Sequence, residues 1–171
     1  MAPEPRLIPL ARAHLLREFP NLSNAQWRIT SPFDRAYNCF AWAAGECQRR
    51  WEPGIDYWPR GVSVDLTMEC FLQAFATLGY HPCESVSYEI GFQKVAIYSE
   101  SFMGEELPTH MARQDLFGRG WLSKLGDLED IRHRNLSDLD GDQYGRVTKI
   151  LRRSVLKAVT LRTKALLIKS N

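Results

Sequence analysis

The sequence lacks the run of ~20 apolar residues that a membrane-spanning helix needs, and it contains no internal repeat or low-complexity tract. Its first six residues include two prolines and are not followed by the continuous apolar stretch of a secretory signal. Of its 171 residues, 44% are hydrophobic and 25% are charged, which is the composition of one soluble globular domain. We therefore expect a cytoplasmic protein.

Closely spaced metal-binding cysteines are also absent. The four cysteines stand at least eight positions apart, whereas structural zinc sites use Cys-x-x-Cys pairs. Without a secretion signal, we interpret them as reduced thiols. The stretch Asp138–Asp142 resembles the start of a calcium loop, but Gln143 replaces the turn glycine and Lys149 the bidentate glutamate. We predict no metal site.

Positive charge is concentrated at the C-terminal end. The net charge is +2, yet eight of the 22 basic residues and none of the 20 acidic ones lie in 145–171. Apolar residues from Val147 to Val159 share one face of a helical projection, with the basic residues largely opposite. This predicts a basic C-terminal helix packed on the domain, although a protein partner or an anionic surface could also bind it. We do not favour nucleic acid, because no known nucleic-acid-binding motif is present.

The helices are predicted to precede the strands. Apolar periodicity indicates helices over 39–50 and 65–78, the second ending at Gly79. Before them, a Pro-punctuated segment, 1–36, is expected to wrap the domain, with short helices at 11–18 and from about Asn24. Strands are predicted at 94–98, 109–114 and 121–125, separated by Gly and Pro. This order indicates an α+β fold with an antiparallel sheet.

Cys39 is the main candidate for a nucleophile. It lies where the first of these helices begins, and the free N–H groups of a helix N-terminus stabilise a thiolate. Small residues follow it at Ala41, Ala43 and Ala44, so that the helix could pack closely on a sheet and a histidine of a neighbouring strand could reach the sulfur. The alternative is a buried, unreactive thiol, which is common for free cysteines in helices.

His110, on the predicted strand 109–114, is the candidate base, although a histidine on a half-buried strand can equally be a hydrogen-bonded core residue. The third member of the site is less defined. Ser123 is our preferred residue, while His133 or a backbone carbonyl is the alternative. His133 could also bind substrate or face solvent. Gln114 and Lys124 are the other polar candidates near His110.

The oxyanion of a tetrahedral intermediate would need hydrogen-bond donors. The backbone N–H of Cys39 is one, and the side-chain amide of Asn38 or Gln26 is the candidate for the second. Three tryptophans around the proposed nucleophile, Trp42, Trp51 and Trp58, could line a substrate groove, and the last two belong to an aromatic loop, 51–61. Core packing would explain these aromatic residues equally well.

Several short motifs occur in a fixed succession: Tyr-Asn-Cys-x-x-Trp-Ala at 37–43, His110-x-Ala112-Arg113-Gln114, Gly120-Trp121-x-Ser123-Lys124-Leu125-Gly126, and Asp130-Ile131-x-His133. Over roughly residues 20 to 153 the chain resembles a family of small uncharacterised bacterial proteins related to NlpC/P60 and papain-like cysteine hydrolases. The resemblance implies a papain-like core with Cys39 as nucleophile and His110 as base. Met111 departs from the small residue expected after the histidine.

These observations together predict a papain-like domain over 1–153 and a basic extension over 154–171. The predicted activity is that of a cysteine hydrolase or acyl transferase, which attacks a peptide or other amide through a Cys39 thioester and needs no cofactor. The alternative is a binding domain of the same fold without catalysis, which would use the aromatic loop and the basic C-terminal helix to hold a partner.

Overall fold

The structure is a computed structural model that describes residues 7–156. Its helices are α1 (Leu7–Glu18), α2 (Cys39–Ala44) and α3 (Met68–Ala76), with short 3-10 helices at Pro20–Asn24 and Leu136–Leu139. Its strands are β1 (Trp27–Ser31), β2 (His81–Cys83), β3 (Phe92–Phe102), β4 (Glu105–Gln114), β5 (Trp121–Lys124), β6 (Asp130–His133) and β7 (Arg146–Ser154). None of the helices between residues 7 and 156 has the length and apolar character to span a bilayer.

The seven strands form one antiparallel sheet in the order β1-β6-β5-β4-β3-β7-β2. The mixed α and β architecture with an antiparallel sheet agrees with the sequence-based fold class. The long central hairpin of β3 and β4 contains the strands predicted at 94–98 and 109–114, and β5 corresponds to the strand predicted at 121–125.

The sheet is covered on both faces, so the core has two layers. Val95, Ile97 and Met111 point to the face that packs against α2 and α3. Ala96, Tyr98 and Ala112, which alternate with them along the same strands, point to the opposite face. There they pack with the buried side chains of α1 and the turn after it, which are Leu15, Phe19 and Leu22.

The two helices predicted in the body of the domain exist but are shorter than predicted. α2 begins at Cys39 because the side chain of Asn38 accepts a hydrogen bond from the Ala41 N–H at 3.1 Å. It ends after six residues at Gly45, which has a left-handed backbone with φ 86°. α3 likewise begins behind a cap, since the Thr67 side chain accepts from the Cys70 N–H.

Two segments predicted to be helical are strands. The segment after Asn24 forms β1, which pairs with β6, and residues 146–154 form β7, which lies between β3 and β2. The basic C-terminal helix was therefore wrong over 146–154, where the apolar residues belong to a sheet strand. Only residues 155 and 156 adopt helical geometry after it, and the remainder of the extension, 157–171, lies outside the described residues.

Candidate functional site

Cys39 is the first residue of α2, and its thiol is buried, with 6% of the residue exposed. Burial raises the pKa of the Cys39 thiol to about 11, although hydrogen bonds from the backbone N–H groups of Met111, Phe40 and Cys39 itself act in the opposite direction. The pairing of β4 with β5 ends at Ala112 and Ser123. The Met111 amide lies beyond that last pair, where it bonds to sulfur. The thiol is thus joined to β4 directly after His110.

His110 is fully buried on β4. Its ring stacks on the ring of Tyr144, with centroids 4.1 Å apart and planes at 9°, and meets the ring of Tyr98 edge-on at 5.3 Å. Burial holds the pKa of His110 well below its ordinary value, and the nearby His133 lowers it further. The imidazole is therefore neutral at pH 7.

A chain of hydrogen bonds leads from His110 across three neighbouring strands. His110 Nε2 lies 3.1 Å from Ser123 Oγ on β5, and Ser123 Oγ lies 2.9 Å from His133 Nε2 on β6. His133 Nδ1 lies 2.7 Å from the carbonyl oxygen of Asn135. All three side chains are fully buried, and burial also lowers the pKa of His133.

The direction of these hydrogen bonds follows from the last acceptor. A carbonyl can only accept, so His133 Nδ1 carries the proton, and Nε2 of the neutral ring is then an acceptor. Ser123 must donate its hydroxyl proton to His133 and accept from His110 Nε2–H. His110 Nδ1 is therefore a bare lone pair, and it is buried without a hydrogen-bond partner among residues 7–156.

Tyr144 lies against the histidine. Its ring stacks on His110, while burial and, after it, the negative charge of an ionised Cys39 raise its pKa. Thr109 Oγ1 donates to the Tyr144 carbonyl at 2.6 Å and holds the residue beside β4.

We call the set Cys39, His110, Ser123, His133 and Tyr144 the thiol cluster. Hydrogen bonds join three of the four residues that the sequence put forward for catalysis, His110, Ser123 and His133, while His110 Nδ1 makes no hydrogen bond to the Cys39 thiol. Sequence reasoning missed Tyr144, which lies more than thirty residues after His110, and the Asn135 carbonyl. Nothing in the Tyr144-Gly145 pair of the sequence indicates that the ring lies against the histidine. His133 does not face solvent.

The two side-chain amides considered for the oxyanion lie elsewhere. Asn38 Oδ1 accepts from the Ala41 and Trp51 N–H groups, and its Nδ2 donates to the Trp51 carbonyl at 2.8 Å. This amide caps α2 and ties it to the following loop. Gln26 is exposed at the β1 edge of the sheet, where it lines a surface pocket. The backbone N–H of Cys39 is the remaining donor of those considered.

The tryptophans of the aromatic loop belong to the core. Trp51 packs against Tyr57 and Phe75, and Trp58 packs against Phe71 of α3, with ring centroids 5.0 to 5.9 Å apart. The Trp58 Nε1–H donates to the Ser63 carbonyl. These contacts favour the packing interpretation of the aromatic loop over a substrate groove.

Trp42, three residues after the thiol, is half-buried, with the Arg113 guanidinium 4.3 Å from its ring. Its Nε1 is buried without a hydrogen-bond partner among the described residues. Gln114 is buried and donates to the Val86 carbonyl at 2.8 Å, so it anchors the segment before β3. Neither contact joins these residues to the thiol cluster.

Lys124 belongs to a separate buried group on the α2 side of the sheet. Its ammonium lies 3.9 Å from Asp130 Oδ1 and 5.1 Å from the Tyr37 ring. The Tyr37 hydroxyl donates to Asp130 Oδ2 at 2.8 Å. Burial lowers the pKa of Lys124 and raises that of Asp130. This triad fixes the segment before α2 to the start of β6, and so helps to position Cys39.

Within residues 7–156, no three His, Cys, Asp or Glu side chains are arranged to hold a metal ion. In comparisons with known proteins, neither a curated protein nor a solved structure matches the chain. A family model described as a domain of unknown function (DUF7689) matches residues 28–152. That range holds all five residues of the thiol cluster. The chain belongs to this family, DUF7689.

Proposed function

We propose that the protein is a cysteine hydrolase or acyl transferase of the NlpC/P60 or papain-like kind, acting on an amide bond. Cys39 is the nucleophile and His110 carries the proton. Ser123 and His133 position His110, and the substrate is a peptide or another amide. No cofactor is needed for this chemistry.

The observation that carries the proposal is the bare Nδ1 of His110. A buried polar atom without a partner costs about 1–3 kcal/mol, and such atoms in a native protein call for an explanation. The other ring nitrogen of His110, Nε2, is hydrogen-bonded to Ser123, which is in turn hydrogen-bonded to His133. This arrangement leaves Nδ1 of His110 as an acceptor. The Cys39 thiol, bonded to the amide of the residue after His110, is the acid that we assign to this acceptor.

The charge states support base-assisted attack in place of a preformed ion pair. With the thiol pKa at about 11 and that of His110 lowered, both groups are neutral at rest. The S–H proton passes to His110 Nδ1 as sulfur attacks the carbonyl carbon. The imidazolium then donates the proton to the amine nitrogen, the C–N bond breaks, and an acyl thioester remains. Water or an acceptor amine attacks the thioester and releases Cys39.

General base assistance of this kind contributes about 10²–10⁴-fold to a rate. The imidazolium formed in the step has its Nε2–H directed at Ser123, so the charge is stabilised without a rearrangement of the site. Ser123 and His133 are positioning residues in this scheme, because they act on the substrate only through His110.

The proposal is tested with a small activated acyl donor, p-nitrophenyl acetate, because a small probe can reach a thiol that is almost completely buried. Acetylation is mapped by peptide mass spectrometry, and turnover is followed by nitrophenolate release. We expect acetyl-Cys39 to form and to hydrolyse in the parent and in Cys47→Ser. His110→Gln should slow turnover by about 10²–10⁴-fold, and Cys39→Ser should abolish it. Circular dichroism verifies that each variant is folded.

A second candidate is a binding domain without catalysis, which is favoured by the closure of the thiol cluster. Cys39 is 6% exposed and His110 is fully buried, so this conformation does not admit a peptide substrate to them. On this hypothesis the hydrogen-bonded histidines stabilise the fold only. Acetylation at the exposed Cys47 alone, or turnover that His110→Gln leaves unchanged, would decide for the binding domain.

A further inference from the structure

A pocket of about 240 Å³ lies at the β1–β6 side of the sheet. Arg28 of β1, Arg132 of β6, and Arg119 and Arg134 from the adjoining loops line it, together with Gln26, Trp27 and His133. Four of seven lining residues are thus arginines. A concave surface with this many guanidinium groups attracts and orients an anion.

The positive charge of the pocket is only partly compensated. Asp115 is the carboxylate that neutralises it, with Arg132 at 2.7 Å and Arg119 at 3.1 Å. No carboxylate lies within ion-pair distance of Arg28 or Arg134 among residues 7–156. Four cations and one anion leave three positive charges around the pocket.

The sheet register places two of these positive charges opposite each other. Arg28 and Arg132 are directly opposite each other on β1 and β6, and like charges in that arrangement destabilise a pair of strands. In addition, Arg132 Nε is buried and has no hydrogen-bond partner among the described residues. An anion in the pocket would relieve both features, because it would screen the cross-strand pair and accept from a guanidinium donor.

Contacts with Asp115 hold two of the arginines, Arg119 and Arg132, in place. Asp115, 4% exposed, accepts from Arg119 Nε and from the NH2 groups of Arg119 and Arg132. The guanidinium of Arg12 covers the Trp27 ring at 4.1 Å and brings a fifth positive charge to this side of the sheet. Side chains held in this way lose less conformational freedom when a ligand binds.

We propose that this pocket binds a phosphate group, with Arg28, Arg132 and Arg134 as its ligands. A guanidinium presents two parallel donors that match two oxygens of a phosphate, and several such forks around one small pocket suit a tetrahedral dianion better than a planar monoanion. The phosphate is either a free ion or the end of a small phosphate ester. The proposal does not depend on catalysis by Cys39.

Isothermal titration of the full chain with inorganic phosphate, with a nucleoside 5′-monophosphate and with acetate tests the proposal. We compare the parent with Arg28→Gln/Arg134→Gln and with the control Arg60→Gln/Lys149→Gln. Both pairs remove two exposed positive charges, but only the first removes them from the pocket. We expect phosphate to bind with a Kd of about 1 mM or tighter and the first pair to weaken it by about tenfold for each arginine removed.

Retention of the parent affinity by the control pair, with weak or absent acetate binding, is part of the expected result. The ester binding much more tightly than the ion would identify an ester as the ligand, and equal binding would identify the ion. The proposal is overturned if the parent binds no phosphate, if both double variants bind it alike, or if acetate binds as tightly as phosphate. Because the substituted side chains are exposed, both variants should fold, which circular dichroism verifies.

Discussion

The two buried histidines predict that acid destabilises the protein between pH 7 and pH 5.5. His110 and His133 both have pKa values lowered by burial, whereas in the unfolded chain a histidine titrates near pH 6.5. As the pH falls through that value, the unfolded state takes up protons that the folded state does not. The free energy of unfolding therefore decreases. The contribution of the two neutral histidines to the free energy of unfolding is fully present above pH 6.5 and is lost as the pH falls below that value.

The magnitude follows from proton linkage. A histidine that stays neutral in the folded state down to pH 5.5 removes about 1 kcal/mol of stability between pH 7 and that value. We expect a loss of about 1 kcal/mol from His110, whose pKa is lowered well below the ordinary value. The total approaches ~2 kcal/mol if His133 stays equally neutral.

Urea unfolding followed by tryptophan fluorescence at several pH values measures this loss. We expect His110→Gln to remove about 1 kcal/mol of the pH dependence, and His81→Gln, which replaces an exposed histidine, to leave it unchanged. Histidine NMR signals of the parent provide a test without substitution, because the His110 ring should not titrate between pH 7 and pH 5.5. A His110 signal that titrates near pH 6.5, or an unaltered pH dependence in His110→Gln, would refute the reasoning.

Three further outcomes are expected. At pH 8, iodoacetamide should modify the exposed Cys47 well before Cys39, because burial raises the Cys39 pKa to about 11; equal rates by peptide mapping in the folded protein would contradict the buried thiol. Tyr37→Phe should lower the free energy of unfolding by about 1–3 kcal/mol, since it removes the donor to buried Asp130, and an unchanged urea midpoint would speak against that contact. Gly145→Ala should destabilise the protein far more than Gly104→Ala, although both glycines have φ above +60°. A Cβ at position 145 would lie 2.1 Å from a carbonyl oxygen of β3, whereas a Cβ at position 104 would meet nothing within 4 Å. Similar melting temperatures of these two variants would exclude the close approach.

Local signals in the sequence predicted the elements that local interactions stabilise. The start of α2 follows from the Asn38 cap, and α3 follows from an apolar face and the Thr67 cap. The strands β3, β4 and β5 follow from short apolar runs bounded by Gly and Pro. In each case neighbouring residues along the chain contain the physical cause, which is why a pattern can reveal it.

β7 was mistaken for a helix because its apolar spacing does not decide between the two structures. Ile150 and Leu151 are adjacent and both buried, because this strand lies inside the sheet and is covered on both faces. A strand of that kind shows no alternation, and its residues also fit one side of a helix. Its pairing with β3 and β2, whose residues lie 47 to 71 positions earlier in the chain, is what makes it a strand.

Residue types and their order along the chain were sufficient to predict the α+β class, the start of α2 at Cys39, and the proximity of the polar side chains His110, Ser123 and His133. Only the tertiary structure decided which atoms meet. The hydrogen bonds from His110 to Asn135 cross three strands, and the Tyr144 ring is brought to His110 by the chain between β6 and β7. Burial and hydrogen-bond direction depend on contacts between residues distant in sequence, so the bare nitrogen of His110 and the neutral thiol could not be predicted from local pattern.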